Sequence, residues 1–236
     1  MAGDKFIESS YEKALIALFQ ELGYTYECGY DVERDYREPF YREVLEASLK
    51  RLNKGVSADI LAEGLKMVTN LNEGTLIQDN RRFTEMLQNG FAVPYLENGE
   101  NRTATLRLVD FEQPLANDFR IVNQWSVEEL GKIRCDMVVM INGLPLVVVE
   151  LKTASDENVT IEDAYLQIRN YMKKCPSLFG YNAFCVISDL AQSKAGTITS
   201  KFERFMEWKS EDGNYETKLI ADYATFFKGM FMRERL

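Results

Sequence analysis

Apolar positions along this 236-residue chain recur at two periods, and the switch between them divides it. From residue 4 to 22 the period is helical: Phe6, Leu15, Leu18, Phe19 and Leu22 fall near one stripe, and Gly23 supplies the stop. Residues 24–37 are rich in tyrosine and charge, show little periodicity and read as a loop. The helical period returns from 39 to about 52, breaks at Asn53-Lys54-Gly55, and resumes behind Ser57 as far as 69. A further helix over about 75–88 ends at Asn89-Gly90. The pattern then turns to strands over 91–96, 105–111, 119–125, 135–141 and 146–152. Turn signals separate them at Glu97-Asn98-Gly99, Pro114 and Asn142-Gly143. A polar connection, Ser155-Asp156-Glu157-Asn158, leads to a helix over about 161–173, closed by Cys175-Pro176 and followed by a short apolar strand over 183–188. Strand, crossover helix and strand in that order make a βαβ unit, so a parallel pair is expected inside an otherwise antiparallel sheet. The expected fold is α/β, a mixed β-sheet flanked by helices. A helical insertion is expected over about 38–90, and the sheet with its crossover helix over about 91–210. No Gly/Ser/Pro-rich linker divides the chain, and 46% hydrophobic content is enough for one large core.

The candidate chemistry lies at the end of the most apolar run. Leu146-Val147-Val148-Val149 leads into Glu150-Leu151-Lys152, and Asp136 lies near the start of the preceding apolar segment. Residues i and i+2 of a strand share a face, which points Glu150 and Lys152 the same way. Asn142-Gly143 is a hairpin signal that can fold Asp136 back beside Glu150. Two carboxylates suit Mg²⁺, which usually takes one or two and keeps several waters. A lysine beside them can orient or deprotonate a water and offset charge developing on a phosphate. The competing reading is a structural ion pair, but a lysine ending so apolar a run seldom lacks a task. Both acids must also share one face of the sheet. A two-residue Asn142-Gly143 loop with an unbroken ladder would pair Asp136 with Val149 and turn Glu150 away. The chemistry therefore demands a loop of odd length or a bulge within one strand. On the first helix Glu8 and Glu12 share a face, read either as a solvated acidic face or as one further site acid. On the crossover helix Gln167 and Tyr171, spaced i and i+4, could reach a phosphate oxygen or a catalytic loop. Taken alone, that pair reads as a helix-surface feature.

Composition narrows the classes. With no histidine in the chain, Ser/His/Asp and Cys/His catalysis and histidine zinc sites are excluded. Cys28, Cys135, Cys175 and Cys185 are far apart and read as reduced core cysteines of a cytoplasmic protein rather than a zinc set. There is no Gly-x-x-x-x-Gly-Lys-Ser/Thr phosphate loop, signal peptide or bilayer-length apolar run, so neither a nucleotide motor nor a membrane is expected. The net charge of −9 argues against a free-standing tight DNA binder. Either DNA is delivered by a partner or a further domain, or the substrate is not nucleic acid.

Several stretches resemble one family. Asn117-Asp118-Phe119, Val122-Asn123-Gln124-Trp125, Arg134-Cys135-Asp136 and the run from Asn142-Gly143-Leu144-Pro145 to Glu150-Leu151-Lys152 resemble the nuclease domain of type I restriction enzyme R subunits (HsdR). So do Asp163-Ala164-Tyr165-Leu166-Gln167-Ile168-Arg169-Asn170-Tyr171, Pro176-Ser177-Leu178-Phe179, Val186-Ile187-Ser188-Asp189, Asn80-Arg81-Arg82-Phe83 and the opening Phe6-Ile7-Glu8. The resemblance implies a PD-(D/E)XK restriction-endonuclease-like fold and a Mg²⁺-dependent endonuclease acting on double-stranded DNA. It implies Asp136, Glu150 and the Leu151 carbonyl as metal ligands, and Lys152 as the residue that positions or activates water. It also implies an acid from the first helix, Glu12 or Glu8, and Gln167 with Tyr171 as a Gln-x-x-x-Tyr element contacting DNA. Cys135 departs from the proline usual before the aspartate, which touches strand geometry more than chemistry. The family further implies methylation and specificity subunits as partners and an ATP-driven motor. On that reading the whole chain is one nuclease domain and 211–236 begins the connection to the motor. Two other readings stand beside this one. The first is a nuclease-fold module without activity that docks a motor or partner subunit. The second is a stand-alone nuclease such as a junction resolvase, disfavoured by the charge and the helical insertion.

Overall fold

In the computed structural model the described residues are 2–152, 160–212, 214 and 223–235, with side chains described from residue 10 onward. α1 (Ala2–Glu21) buries Tyr11, Leu15, Ile16, Leu18 and Phe19. It stops at Gly23, whose φ of 86° lets the Tyr24 N–H reach back to the Phe19 carbonyl at 2.9 Å. β1 (Thr25–Cys28) follows, inside the stretch expected to be loop. It has four residues and pairs in parallel with a strand almost a hundred positions later, so nothing local announces it.

Three helices come next, near their expected bounds: α2 (Arg42–Leu52), α3 (Ala58–Thr69) and α4 (Leu76–Asn89). The Thr75 side chain caps α4 by accepting from the Gln78 N–H. β2 (Phe91–Glu97) and β3 (Glu100–Leu106) form a separate two-stranded hairpin. β3 lies earlier than the expected 105–111. Asn98 and Gly99, at φ 54° and 82°, close a two-residue turn that pairs Glu97 with Glu100 at once. Beyond it, Leu108 and Val109 are buried as irregular chain, and the Asn53 side chain binds the Arg107 N–H and carbonyl at 2.8 and 3.0 Å.

The main sheet has the order β1-β4-β5-β6-β7-β8, with β4 (Phe119–Glu128), β5 (Lys132–Ile141), β6 (Leu144–Leu151), β7 (Phe184–Ser188) and β8 (Ser193–Gly196). β6 and β7 are parallel and joined by way of α5 (Ile161–Lys174) and the short α6 (Pro176–Gly180), the βαβ unit expected. The β8 edge, mostly polar, gave no signal in the sequence. The polar connection 155–158 lies outside the described residues. Within 211–236, expected as connecting chain, α7 (Tyr223–Phe231) packs Phe227 and Phe231 against Phe19 of α1.

Apolar layers cover both faces of the sheet, as the double-sided apolar pattern of β5 and β6 requires. One layer holds Leu15, Phe19, Ile121, Val139, Val149 and Phe226, and the other Val122, Trp125, Val138, Val148, Ile168 and Phe179.

Candidate active site

The β5–β6 hairpin decides whether the two acids meet. Its loop is the two-residue Asn142-Gly143, at φ 53° and 81°, joining the pair Ile141–Leu144. An unbroken ladder from there would turn Glu150 away from Asp136. The register shifts between Val139 and Met140, so Met140 faces Pro145 while Val139 faces Val147 and Leu146 is left over. Leu146 and Val147 consequently face the same apolar layer, and the pairs then run to Met137–Val149. One residue further on, Asp136 and Glu150 are opposite one another. The bulge demanded by the chemistry is present.

The hairpin is fixed by burial as well as by turn type. Asn142 is 1% exposed, and its side chain bonds the Leu108 carbonyl, the Asp118 N–H, Asn117 and Arg51. The Tyr41 N–H binds the Gly143 carbonyl at 2.8 Å, and a Cβ on Gly143 would lie 2.5 Å from Leu45 N. Glycine is required there by conformation and by space.

Where the β5–β6 ladder ends, a side chain continues it: Asp136 Oδ2 accepts the Leu151 N–H at 2.8 Å. Glu150 is 0% exposed. Its Oε1 accepts from Lys152 Nζ at 2.8 Å, while Oε2 has no hydrogen-bond donor. Burial first, and then the neighbouring Asp136 carboxylate, push the Glu150 carboxyl well above the ordinary range, with Lys152 opposing both. Two carboxylates held together and a buried oxygen without a donor suit a hard divalent cation. Among the described residues no three Asp, Glu or Cys side chains converge. A cation at this site would therefore rest on two carboxylates, completed by backbone and water.

Lys152 Nζ also donates to Gln167 Oε1 at 3.1 Å, Gln167 Nε2 to the Tyr171 hydroxyl at 2.6 Å, and that hydroxyl to the Arg134 carbonyl at 2.8 Å. The Gln-x-x-x-Tyr pair thus links the lysine end of β6 to β5 two residues before Asp136. Tyr171 is buried and its hydroxyl is engaged inside the protein, so the pair braces the site from within rather than presenting a stacking ring. Glu12 reaches β4, where Asn123 Nδ2 donates to it at 2.5 Å and Gln124 Nε2 at 3.4 Å. Gln124 falls between the pairs Asn123–Met137 and Trp125–Cys135, level with Asp136. The side chain of Glu8 lies outside the described residues.

Asn123, Gln124 and Ser188 lie in the family-like stretches but are assigned no role from the sequence, and Tyr11 carries no signal there. Gln124 takes a left-handed φ of 53° within a strand, which its sequence does not signal. The Ser188 carbonyl holds the Lys152 N–H at 2.8 Å, and Ser188 Oγ bonds the Tyr11 hydroxyl at 2.6 Å, tying α1 to the ends of β6 and β7. Burial pushes that tyrosine's hydroxyl up to about 12.

Residues 5–204 match the sequence family described as type I restriction enzyme R protein N terminus (HSDR_N). The chain is 32% identical over 219 residues to a Methanocaldococcus jannaschii protein carrying the name type I restriction enzyme MjaIXP endonuclease subunit, covering 89% of this chain and 21% of that one. It is likewise 32% identical over 226 residues to the type I restriction enzyme HindI endonuclease subunit of Haemophilus influenzae, covering 91% and 21%. With the SauCOLORF180P endonuclease subunit of Staphylococcus aureus it shares 37% over 125 residues, 52% of this chain and 13% of the relative. The chain thus spans about a fifth of the length of the first two relatives.

Proposed function

The chain belongs to the family of type I restriction enzyme R protein N termini, and from that premise we propose that it is a Mg²⁺-dependent endonuclease module cutting double-stranded DNA within a type I restriction complex. The observation that carries this reading is Glu150: a fully buried carboxyl beside Asp136, with one oxygen on Lys152 and the other without a donor. A site built only for stability would not hold two carboxylates together in a dry strand end, where each raises the cost of ionising the other.

Asp136, Glu150 and the Leu151 carbonyl would hold the metal, which when bound supplies positive charge that acidifies water and offsets charge on the phosphate. The residues do the rest. Lys152, held between Glu150 and Gln167, places a cation where a water and the scissile phosphate would meet, orienting the water and offsetting the charge that develops on the phosphate. Gln167 and Tyr171 fix Lys152 and the β5 backbone, and Glu12, anchored by Asn123 and Gln124, is the α1 acid of this reading, outside the pair that would hold the metal. ATP would act only through a motor elsewhere in the longer subunit, and methylation and specificity subunits would choose the DNA.

Nicking of supercoiled plasmid with Mg²⁺ and with EDTA tests the reading. Metal-dependent nicking that disappears in Glu150→Ala and Asp136→Ala is expected, in the isolated chain or in the reconstituted complex. Nicking that survives both substitutions would sink it. The docking reading instead predicts that both substitutions impair complex assembly or ATP hydrolysis.

A further inference from the structure

Exposure along the first half of β5 alternates: Lys132 and Arg134 are exposed, Ile133 and Cys135 are buried, and Asp136 is half-buried. The alternation sets the two cations on one face about 7 Å apart, with Asp136 two residues beyond Arg134 along the strand. The loop after β1 runs along the outer edge of β4, where the Tyr36 carbonyl accepts the Glu128 N–H at 2.9 Å. That path brings two tyrosines across to the cations. Lys132 Nζ lies 5.1 Å from the Tyr36 ring centroid, and the Arg134 guanidinium lies 5.9 Å from that of Tyr30 and donates to its hydroxyl. Glu128 faces Lys132 across the ladder, and Asp31, Glu33 and Glu129 lie in the flanking chain. Among the described residues, none of these acids is within ion-pair distance of either cation. Tyr30 is 58% exposed, too exposed to stabilise the core much.

We propose that Lys132 and Arg134, each laid against a tyrosine, form a track for the phosphate backbone of DNA leading to Asp136 and Glu150. The choice of DNA as ligand rests on the nuclease reading above. The physical case is electrostatic. A polyanion approaching two or three carboxylates on a chain of net charge −9 needs local cations that no acid has already neutralised. Arg134 keeps most of its five N–H donors free for phosphate oxygens after bonding one hydroxyl, and Lys132 offers three. The tyrosine faces hold both long side chains extended, which lowers the rotamer entropy lost on binding.

The test uses the intact chain and a short fluorescent duplex in low-salt buffer with EDTA, read by anisotropy across a salt series. Lys132→Gln and Arg134→Gln should each weaken binding several-fold and each reduce the log–log salt slope by about 1. Tyr30→Leu should give a smaller loss, and Lys54→Gln, in the turn after α2, should change nothing. Circular dichroism of every variant guards against misfolding. Unchanged slopes in the β5 variants, an equal loss in Lys54→Gln, or no measurable binding by the intact chain would each overturn the proposal. Plasmid nicking in Mg²⁺ separates this failure from failure of the nuclease reading. Glu150-dependent nicking that ignores the β5 cations leaves the nuclease and removes the track. Duplex binding through the track without any nicking does the reverse.

Discussion

Glu150 keeps a carboxyl in a place where only Lys152 offsets its burial and where Asp136 stands beside it. Glu150→Gln is the discriminating substitution, because it keeps the shape and removes the charge. If the carboxyl serves chemistry, nicking should fall by about 10²-fold or more while the urea midpoint holds or rises. A structural ion pair predicts the opposite: activity kept and stability lost by about 3 kcal/mol. Tyr171→Phe removes one hydroxyl that joins Gln167 to the Arg134 carbonyl. It should cost about 1 kcal/mol of stability and lower the nicking rate without abolishing it. Sequence made Asp136, Glu150 and Lys152 conspicuous because charge at the end of an apolar strand is rare. Asn123 and Gln124 carried no such mark, since polar residues in a strand are ordinary until a partner from α1 arrives.

At the scale of elements, the hairpin between β5 and β6 does the placing. Gly143→Ala adds a Cβ 2.5 Å from Leu45 N at a φ of 81°. The left-handed conformation alone costs about 1–2 kcal/mol, and the clash adds to it, so a clear drop in the urea midpoint is expected. Deleting Leu146 would remove the bulge yet leave Val139–Val147 and every later pair in place, so Asp136 should stay opposite Glu150 in a regular ladder. Retained nicking with retained far-ultraviolet dichroism is the expected outcome, and loss of nicking in a folded variant would show that the bulge does more than set the register of the acids. Thr75→Ala is the contrasting case: removing the α4 cap should cost about 1 kcal/mol and leave nicking untouched.

At the scale of the whole molecule, two apolar layers clamp the sheet while 37 acidic residues against 28 basic ones leave the surface negative. The isolated chain should therefore bind duplex DNA feebly, with affinity falling steeply as salt rises. A tight, salt-insensitive complex in a mobility-shift assay would contradict this. The same balance of charge fits the proposed reading, in which DNA is delivered by a partner or a further domain, and the chain spans about a fifth of the length of the first two relatives.

Local pattern was enough for most of the elements. Helices α1 to α5, the central strands, the βαβ unit and its parallel pair follow from periodicity, caps and turn residues, which act over a few positions. The acids and lysine of the site were legible for the same reason, and so was the need for a parity change between them. The location of that change at Leu146 was not legible, because β6 is apolar on both faces and any residue of the run could have been the extra one. β1, the shifted β3, the Glu12 anchor on β4 and the inward turn of Tyr171 also had to wait for the structure. Each depends on a contact between segments far apart in the chain or on a backbone angle, and composition leaves no local trace of either.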